Sequence, residues 1–139
     1  MSKAKPTALL ADDHPAILEK VSRLLSSDFD VVGVVKDGAA AVEAVMRLKP
    51  DVVVMDISMP ILNGIQAMRR FREAGVKSKI VILTANADPD FATSVFEAGA
   101  SGYVLKSRMN TDLLSALEEV LTEGVFSSLN PATSVAYGA

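Results

Sequence analysis

No cysteine occurs among the 139 residues. That excludes a disulfide scaffold, a thiolate metal site and a cysteine nucleophile together. Histidine occurs once, at His14, so a multi-histidine metal centre is excluded too. No apolar run reaches the length of a membrane span. The N-terminal Met1-Ser2-Lys3-Ala4-Lys5-Pro6 meets Asp12 and Asp13 too soon for a secretory signal. A cytoplasmic protein with no membrane role is expected. Basic charge is scarce as well: the net charge is -3, and a nucleic-acid footprint wants a basic domain. Arg69, Arg70 and Arg72 therefore read as a solvated helix face, and no direct nucleic-acid contact is expected. What is present is ordinary for a globular chain, 50% hydrophobic and 22% charged, with room for one domain and a core.

One stretch organises the rest: Pro50-Asp51-Val52-Val53-Val54-Met55-Asp56-Ile57-Ser58-Met59-Pro60, followed by Asn63-Gly64. Val52 to Met55 is a continuous, β-branched apolar run, the pattern of a strand buried on both faces of a parallel sheet. Asp56 follows it. An unpaired charge is costly inside a sheet, so this acid belongs at the strand's C-terminal end, where open α/β sheets bind ligands. Taken alone, Asp56 could equally cap a loop or the next helix.

Around that strand the chain alternates. Strands are predicted at Thr7 to Ala11, Val31 to Val35, Lys79 to Thr84 and Gly102 to Lys106. Helices are predicted after Pro15, from Asp37-Gly38 to Pro50, over Gly64 to Ala74, after Asp88-Pro89, and from an Asn110 or Thr111 cap to Gly124. Asp13 or His14 is the expected cap of the first helix. Short connections of this kind require a parallel sheet with right-handed crossovers and helices on both faces. The expected fold is a flavodoxin-like (βα)5 doubly wound five-stranded sheet in the common order 2-1-3-4-5. Residues 1–124 form the predicted domain. Residues 125–139 carry no charge and read as a tail or linker, with Val125 and Phe126 available to pack on the last helix.

The strand ends contribute Asp12 and Asp13, Asp56, Thr84 and Lys106. Three carboxylates gathered together repel one another. A hard divalent cation such as Mg²⁺ offsets that repulsion with oxygen ligands. Lys106 adds positive charge and Thr84 a hydroxyl, which together describe a receptor for a phosphoryl group beside a metal. A carboxylate is itself a competent nucleophile for aspartyl-phosphate formation.

These residues resemble the receiver domains of two-component response regulators. The resemblance rests on Asp12-Asp13, on Met55-Asp56-Ile57-Ser58-Met59-Pro60 with Asn63-Gly64, on Leu83-Thr84-Ala85, and on Gly102-Tyr103-Val104-Leu105-Lys106. It covers Thr7 to Glu123. Glu97-Ala98-Gly99-Ala100-Ser101-Gly102-Tyr103 is most similar to the LuxR-type transcriptional subgroup, here without a DNA-binding domain.

The resemblance implies that Asp56 accepts a phosphoryl group from a sensor histidine kinase in a Mg²⁺-dependent reaction. Asp13, Asp56 and the Ser58 carbonyl would ligate the metal, with Asp12 acting through water. Lys106 would pair with Asp56 or its phosphate, Thr84 and Tyr103 would switch, and Ala85 would leave the phosphoryl group room. Ser58 and Asn86 would tune phosphate lifetime. A homodimer through the fourth helix, fifth strand and fifth helix is a further implication, and the output would be transcription or a protein partner. The chain would catalyse its own phosphorylation and dephosphorylation as a switch rather than as a turnover enzyme.

The family's usual proline after the lysine is replaced by Ser107. The Lys106-Ser107 bond is then either cis, at a cost of about 2.5–4 kcal/mol, or Lys106 is presented differently; the LuxR-type subgroup often lacks this proline too.

Two other classes compete. A phosphate-independent interaction module would have lost the acidic pair, Asp56 or Lys106, and none is lost. An aspartyl-phosphate phosphatase of the haloacid dehalogenase type wants a second Asp where His14 stands, and a flavodoxin wants a Ser/Thr/Gly-rich loop where Asp12-Asp13-His14-Pro15 would repel phosphate.

Overall fold

Alternation of short apolar runs with amphipathic segments produces β1 (Thr7–Ala11), α1 (Pro15–Leu25), β2 (Asp30–Val35), α2 (Gly38–Leu48), β3 (Val52–Met55) and α3 (Gly64–Glu73). It continues through β4 (Lys79–Thr84), α4 (Pro89–Ala98), β5 (Gly102–Leu105), α5 (Met109–Leu121) and β6 (Phe126–Ser127). These elements come from a computed structural model that describes residues 4–129. All strand pairs are parallel, and the sheet order is β2-β1-β3-β4-β5-β6. The flavodoxin-like order expected for five strands is present.

Because successive strand residues point to opposite faces, each central strand feeds two cores. Val53 and Met55 pack with Ala41, Val45, Met68, Phe71 and Val95 from α2, α3 and α4. Val52 and Val54 pack with Leu18, Val21, Leu113 and Leu117 from α1 and α5. All four residues of β3 are buried, which is why the run carries no polar alternation. Among the described residues no helix is long and apolar enough to cross a membrane.

Helix starts follow local chemistry. Asp37 Oδ1 accepts from Ala40 N at 2.7 Å and Asp88 Oδ1 from Asp90 N at 2.9 Å. Asn63 and Gln66 form a reciprocal capping box at α3. Gly75 has φ +70°, the left-handed residue that ends this helix.

Three expectations are corrected. The segment after Gly124 is not solely a tail, because Phe126 and Ser127 pair with Gly102 and Tyr103 as a sixth strand. Its two-residue span is too short to give a periodic signal, and it forms because the outer side of β5 offers unpaired backbone groups beside an apolar niche for Phe126. Residues 130–139 of that predicted tail lie outside the described residues.

The second correction concerns α5, which begins at Met109 rather than after an Asn110 or Thr111 cap. A 3-10 turn, Lys106–Arg108, precedes it, and the buried Met109 docks the helix start into the core. Third, His14 takes the expected N-cap position of α1, but its side chain makes no capping bond. Its ring is engaged elsewhere.

Candidate functional site

The parallel ladder extends past the strand ends and so fixes the acids. Ala11 pairs with Met55, Asp56 N donates to Ala11 O at 2.9 Å, and Asp12 N donates to Val35 O at 3.1 Å. Asp12 and Asp56 therefore stand side by side, each only 3% exposed. Asp56 Oδ1 accepts from Ile57 N at 2.7 Å and, at a longer 3.3 Å, from Ser58 N. Its Oδ2 accepts from Lys106 Nζ at 3.1 Å. The same ammonium lies 3.0 Å from Asp12 Oδ2. That contact is an ion pair without hydrogen-bond alignment, so Asp12 Oδ2 is a buried oxygen lacking a hydrogen-bond donor.

Burial works to lower the Lys106 pKa, but close pairing with Asp12 and Asp56 overrides it and holds the ammonium above its ordinary value.

His14 completes the cluster, a role its sequence position alone had not suggested. Its Nδ1 lies 2.8 Å from Asp12 Oδ1, 3.1 Å from Asp13 Oδ1 and 3.9 Å from Asp56 Oδ2. Carboxylate oxygens only accept, so a hydrogen bond to any of them requires the tautomer with hydrogen on Nδ1. The available signal was adjacency: Pro15 at the first helical position leaves His14 on the turn that already carries both acids.

Ligand atoms of Asp12, Asp13, His14 and Asp56 all fall within 4.8 Å of one another. Carboxylate oxygens predominate, and one is a buried atom with no donor. This donor set fits a hard divalent cation such as Mg²⁺.

Thr84 and Tyr103 are tied to the loop after β4. Thr84 Oγ1 accepts from Asn86 N at 3.2 Å, and Tyr103 Oη donates to Asn86 O at 2.6 Å. The Asn86 side chain accepts from Asp88 N at 2.8 Å and so helps to start α4. Tyr103 is fully buried, with its ring 6.2 Å from that of Phe96. Burial, and then the nearby Asp88 charge, push its phenol up to about 12. Asp12, Asp13, Asp56 and Lys106 are thus brought together directly. Thr84, Asn86 and Tyr103 form an adjoining backbone-centred cluster, and Ser58 is an exposed residue on the Asp56 loop.

The loop after β3 is tightly built. A Cβ on Gly64 would lie 2.7 Å from the Asp56 carbonyl oxygen and 2.9 Å from Ile57 Cα. Leu62 N donates to Pro60 O at 2.8 Å, which leaves the intervening Ile61 at φ +71° and 76% exposed. A β-branched residue at positive φ is strained, and strain of this kind gathers beside functional groups.

Residues 8–118 match the family described as the response regulator receiver domain. The chain belongs to that family. Its relatives include the transcriptional regulatory protein DegU of Brevibacillus brevis, 36% identical over 126 residues, covering 89% of this chain and 53% of that protein. The nitrate/nitrite response regulator NarL of Escherichia coli K12 is 34% identical, covering 86% of this chain and 56% of that protein. The chain thus spans about half the length of the curated relatives it matches.

Among solved structures, a LuxR-family two-component response regulator from Aurantimonas sp. SI85-9A1 superposes with a TM-score of 0.87 at 34% identity. That match covers 97% of this receiver and 98% of the other chain. The signal receiver domain of NarL from Mycobacterium tuberculosis gives 0.82 at 30% identity, covering 86% and 98% respectively. This receiver is therefore similar to LuxR-type response regulators of two-component systems.

Proposed function

We propose that Asp56 is the phosphoacceptor of a two-component switch. The observation that carries this reading is the buried Asp56 carboxylate, held by backbone amides on Oδ1 and by the Lys106 ammonium on Oδ2, beside a second buried acid. Fixed donors of this kind orient a carboxylate nucleophile and face the charge of an incoming phosphoryl group. Phosphoryl transfer asks mainly for positioning and charge neutralisation, which these side chains supply. In the transfer, an Asp56 oxygen forms the new bond to phosphorus while the bond to the donor's histidine nitrogen breaks. Lys106 then faces the phosphoryl oxygens instead of a bare carboxylate.

Asp13, Asp56 and the Ser58 carbonyl would hold Mg²⁺, with Asp12 acting through water. When bound, the ion supplies positive charge against the three acids and the phosphoryl oxygens. Thr84 and Tyr103 respond through their common tie to Asn86: a hydroxyl drawn toward the phosphate releases Asn86 N and loosens the loop that Tyr103 also holds. Ser58 and Asn86 set phosphate lifetime.

The donor is a sensor histidine kinase. The output is transcription or a protein partner, the former in line with the name of DegU as a transcriptional regulatory protein, and it works through a homodimer on the face formed by α4, β5 and α5, at the sheet edge that β6 covers. The test is mass spectrometry after acetyl phosphate and Mg²⁺. The wild type gains one acid-labile phosphoryl group, and Asp56→Asn gains none. Equal labelling of Asp56→Asn refutes the assignment.

A further inference from the structure

Lys106 is followed by serine, and the described peptide bonds include no cis bond. Its ammonium nevertheless reaches both buried acids. The turn that presents it, Lys106–Arg108, is three residues of 3-10 helix, a conformation with poor intrinsic hydrogen bonding. Something outside the turn must hold it.

That support lies behind the site, on α5 and the segment after it. Asp112 is 8% exposed and sits one helical turn beyond Arg108. Its Oδ2 accepts from Arg108 Nε at 2.8 Å and from Ser128 Oγ at 2.7 Å, while Oδ1 accepts from Thr111 Oγ1 at 3.1 Å. Ser128, 5% exposed, also accepts on Oγ from Leu105 N at 3.2 Å and donates its own N–H to Tyr103 O at 2.8 Å.

The residue before Lys106 and the residue that closes its turn are therefore fastened to one buried carboxylate. Arg108 meets it directly, and Leu105 meets it through the serine hydroxyl. Burial works to raise the Asp112 pKa, and the bonds from Arg108, Ser128 and Thr111 override this to hold it low, so the carboxylate is charged and the bonds to it are charge-assisted.

We infer that Asp112 and Ser128 are positioning residues for Lys106, a clamp that holds the ammonium on Asp12 and Asp56 in place of a rigid peptide bond after the lysine. The inference rests on the reading of Lys106 as the cation of the phosphoacceptor site. Neither residue touches the acids; each acts through the two ends of the lysine's turn. The clamp also makes the segment carrying Ser128 part of the reacting apparatus, because it grips β5 at Tyr103 and Leu105, immediately before the lysine.

The test measures how freely Lys106 reacts in metal-free buffer, by limited acylation with an amine-directed acetyl ester and per-residue mass spectrometry. The exposed Lys20 and Lys36 of the same molecules are the reference. Ser128→Ala and Asp112→Asn each raise the Lys106 ratio about threefold or more, the opening expected when a hydrogen bond of ordinary net worth is lost. Val45→Ala removes buried volume on the other face of the sheet and lowers the melting temperature without changing the ratio. An unchanged ratio in Ser128→Ala, or an equal rise in Val45→Ala, overturns the proposal. Should Asp112→Asn not fold, Ser128→Ala, which loses a single hydroxyl, decides alone. Acetyl phosphate labelling, run in parallel, slows in Ser128→Ala. If the wild type takes up no phosphoryl group, the phosphoacceptor reading fails while the lysine ratio still decides the clamp.

Discussion

Replacing Lys106 with methionine keeps most of the aliphatic stem and deletes the charge between two buried acids. The ammonium lies 3.0 Å from Asp12 Oδ2 and 3.1 Å from Asp56 Oδ2, and each carboxylate side chain is 4% exposed. At an effective dielectric constant near 20, each pair is worth about 5 kcal/mol before the desolvation cost is subtracted. Truncating one partner of a buried pair costs about 3–5 kcal/mol, because the other charge is left uncompensated. Residual water access to Lys106, whose side chain is 16% exposed, places this variant at the lower end, about 3 kcal/mol. For a domain of this size that corresponds to a melting temperature lower by about 10 °C.

The assay is thermal and denaturant unfolding of Lys106→Met in metal-free buffer near neutral pH. The pH dependence has a fixed sign. The folded-state pKa of Lys106 is raised, so its stabilisation is complete below the unfolded value of about 10.5 and fades as pH climbs through the folded value. The gap between wild type and variant is accordingly flat from neutrality to about pH 10 and narrows only above it. Added Mg²⁺ stabilises the variant more than the wild type, since the acids then have no internal cation. A variant as stable as the wild type in metal-free buffer would refute the reasoning.

Other consequences are as direct. In a Tyr137→Phe background, which leaves Tyr103 as the sole tyrosine, tyrosinate absorbance develops around pH 12; a transition at the ordinary value near 10 counts against its burial. Asp112→Asn loses stability at neutral pH, and the gap from wild type closes as pH falls below about 4, because a depressed carboxyl stabilises only while it is ionised. A gap that persists unchanged into stronger acid contradicts the charge-assisted clamp. Gly64→Ala drives a Cβ into backbone at Asp56 and Ile57, costing about 1–3 kcal/mol by overpacking and slowing phosphoryl uptake; wild-type melting and labelling would show that the close approach relaxes freely.

The strands were legible because β3 and β4 are buried on both faces and read as unbroken apolar runs, and Pro15, Asp37, Asp88 and Gly75 punctuate the helices by simple local rules. Asp12, Asp56 and Lys106 were legible as strand-end polar groups, since parallel topology alone brings such ends to one rim. His14 was not, because only the side-chain geometry shows an N-cap residue folding its ring back onto two acids rather than onto its own helix. Asp112 and Ser128 were hidden for a different reason. One lies on an amphipathic helix, the other in an uncharged stretch of serines, and their bond spans 16 residues with no periodicity to announce it. The start of α5 was misjudged because Asn110 and Thr111 are favoured caps in isolation, whereas burial of Met109 sets the boundary.

The position of β6 bears on solubility as well as on signalling. A β5 with a bare flank would present a row of free amides and carbonyls to any passing extended chain, another copy of this protein included. Here the protein's own Phe126–Ser127 strand occupies that berth, and Ser128 N seals the Tyr103 carbonyl. Trimming the chain after Glu123 would therefore leave most of the core intact while exposing a sticky margin, and the shortened protein would be lost to precipitation before it was lost to unfolding.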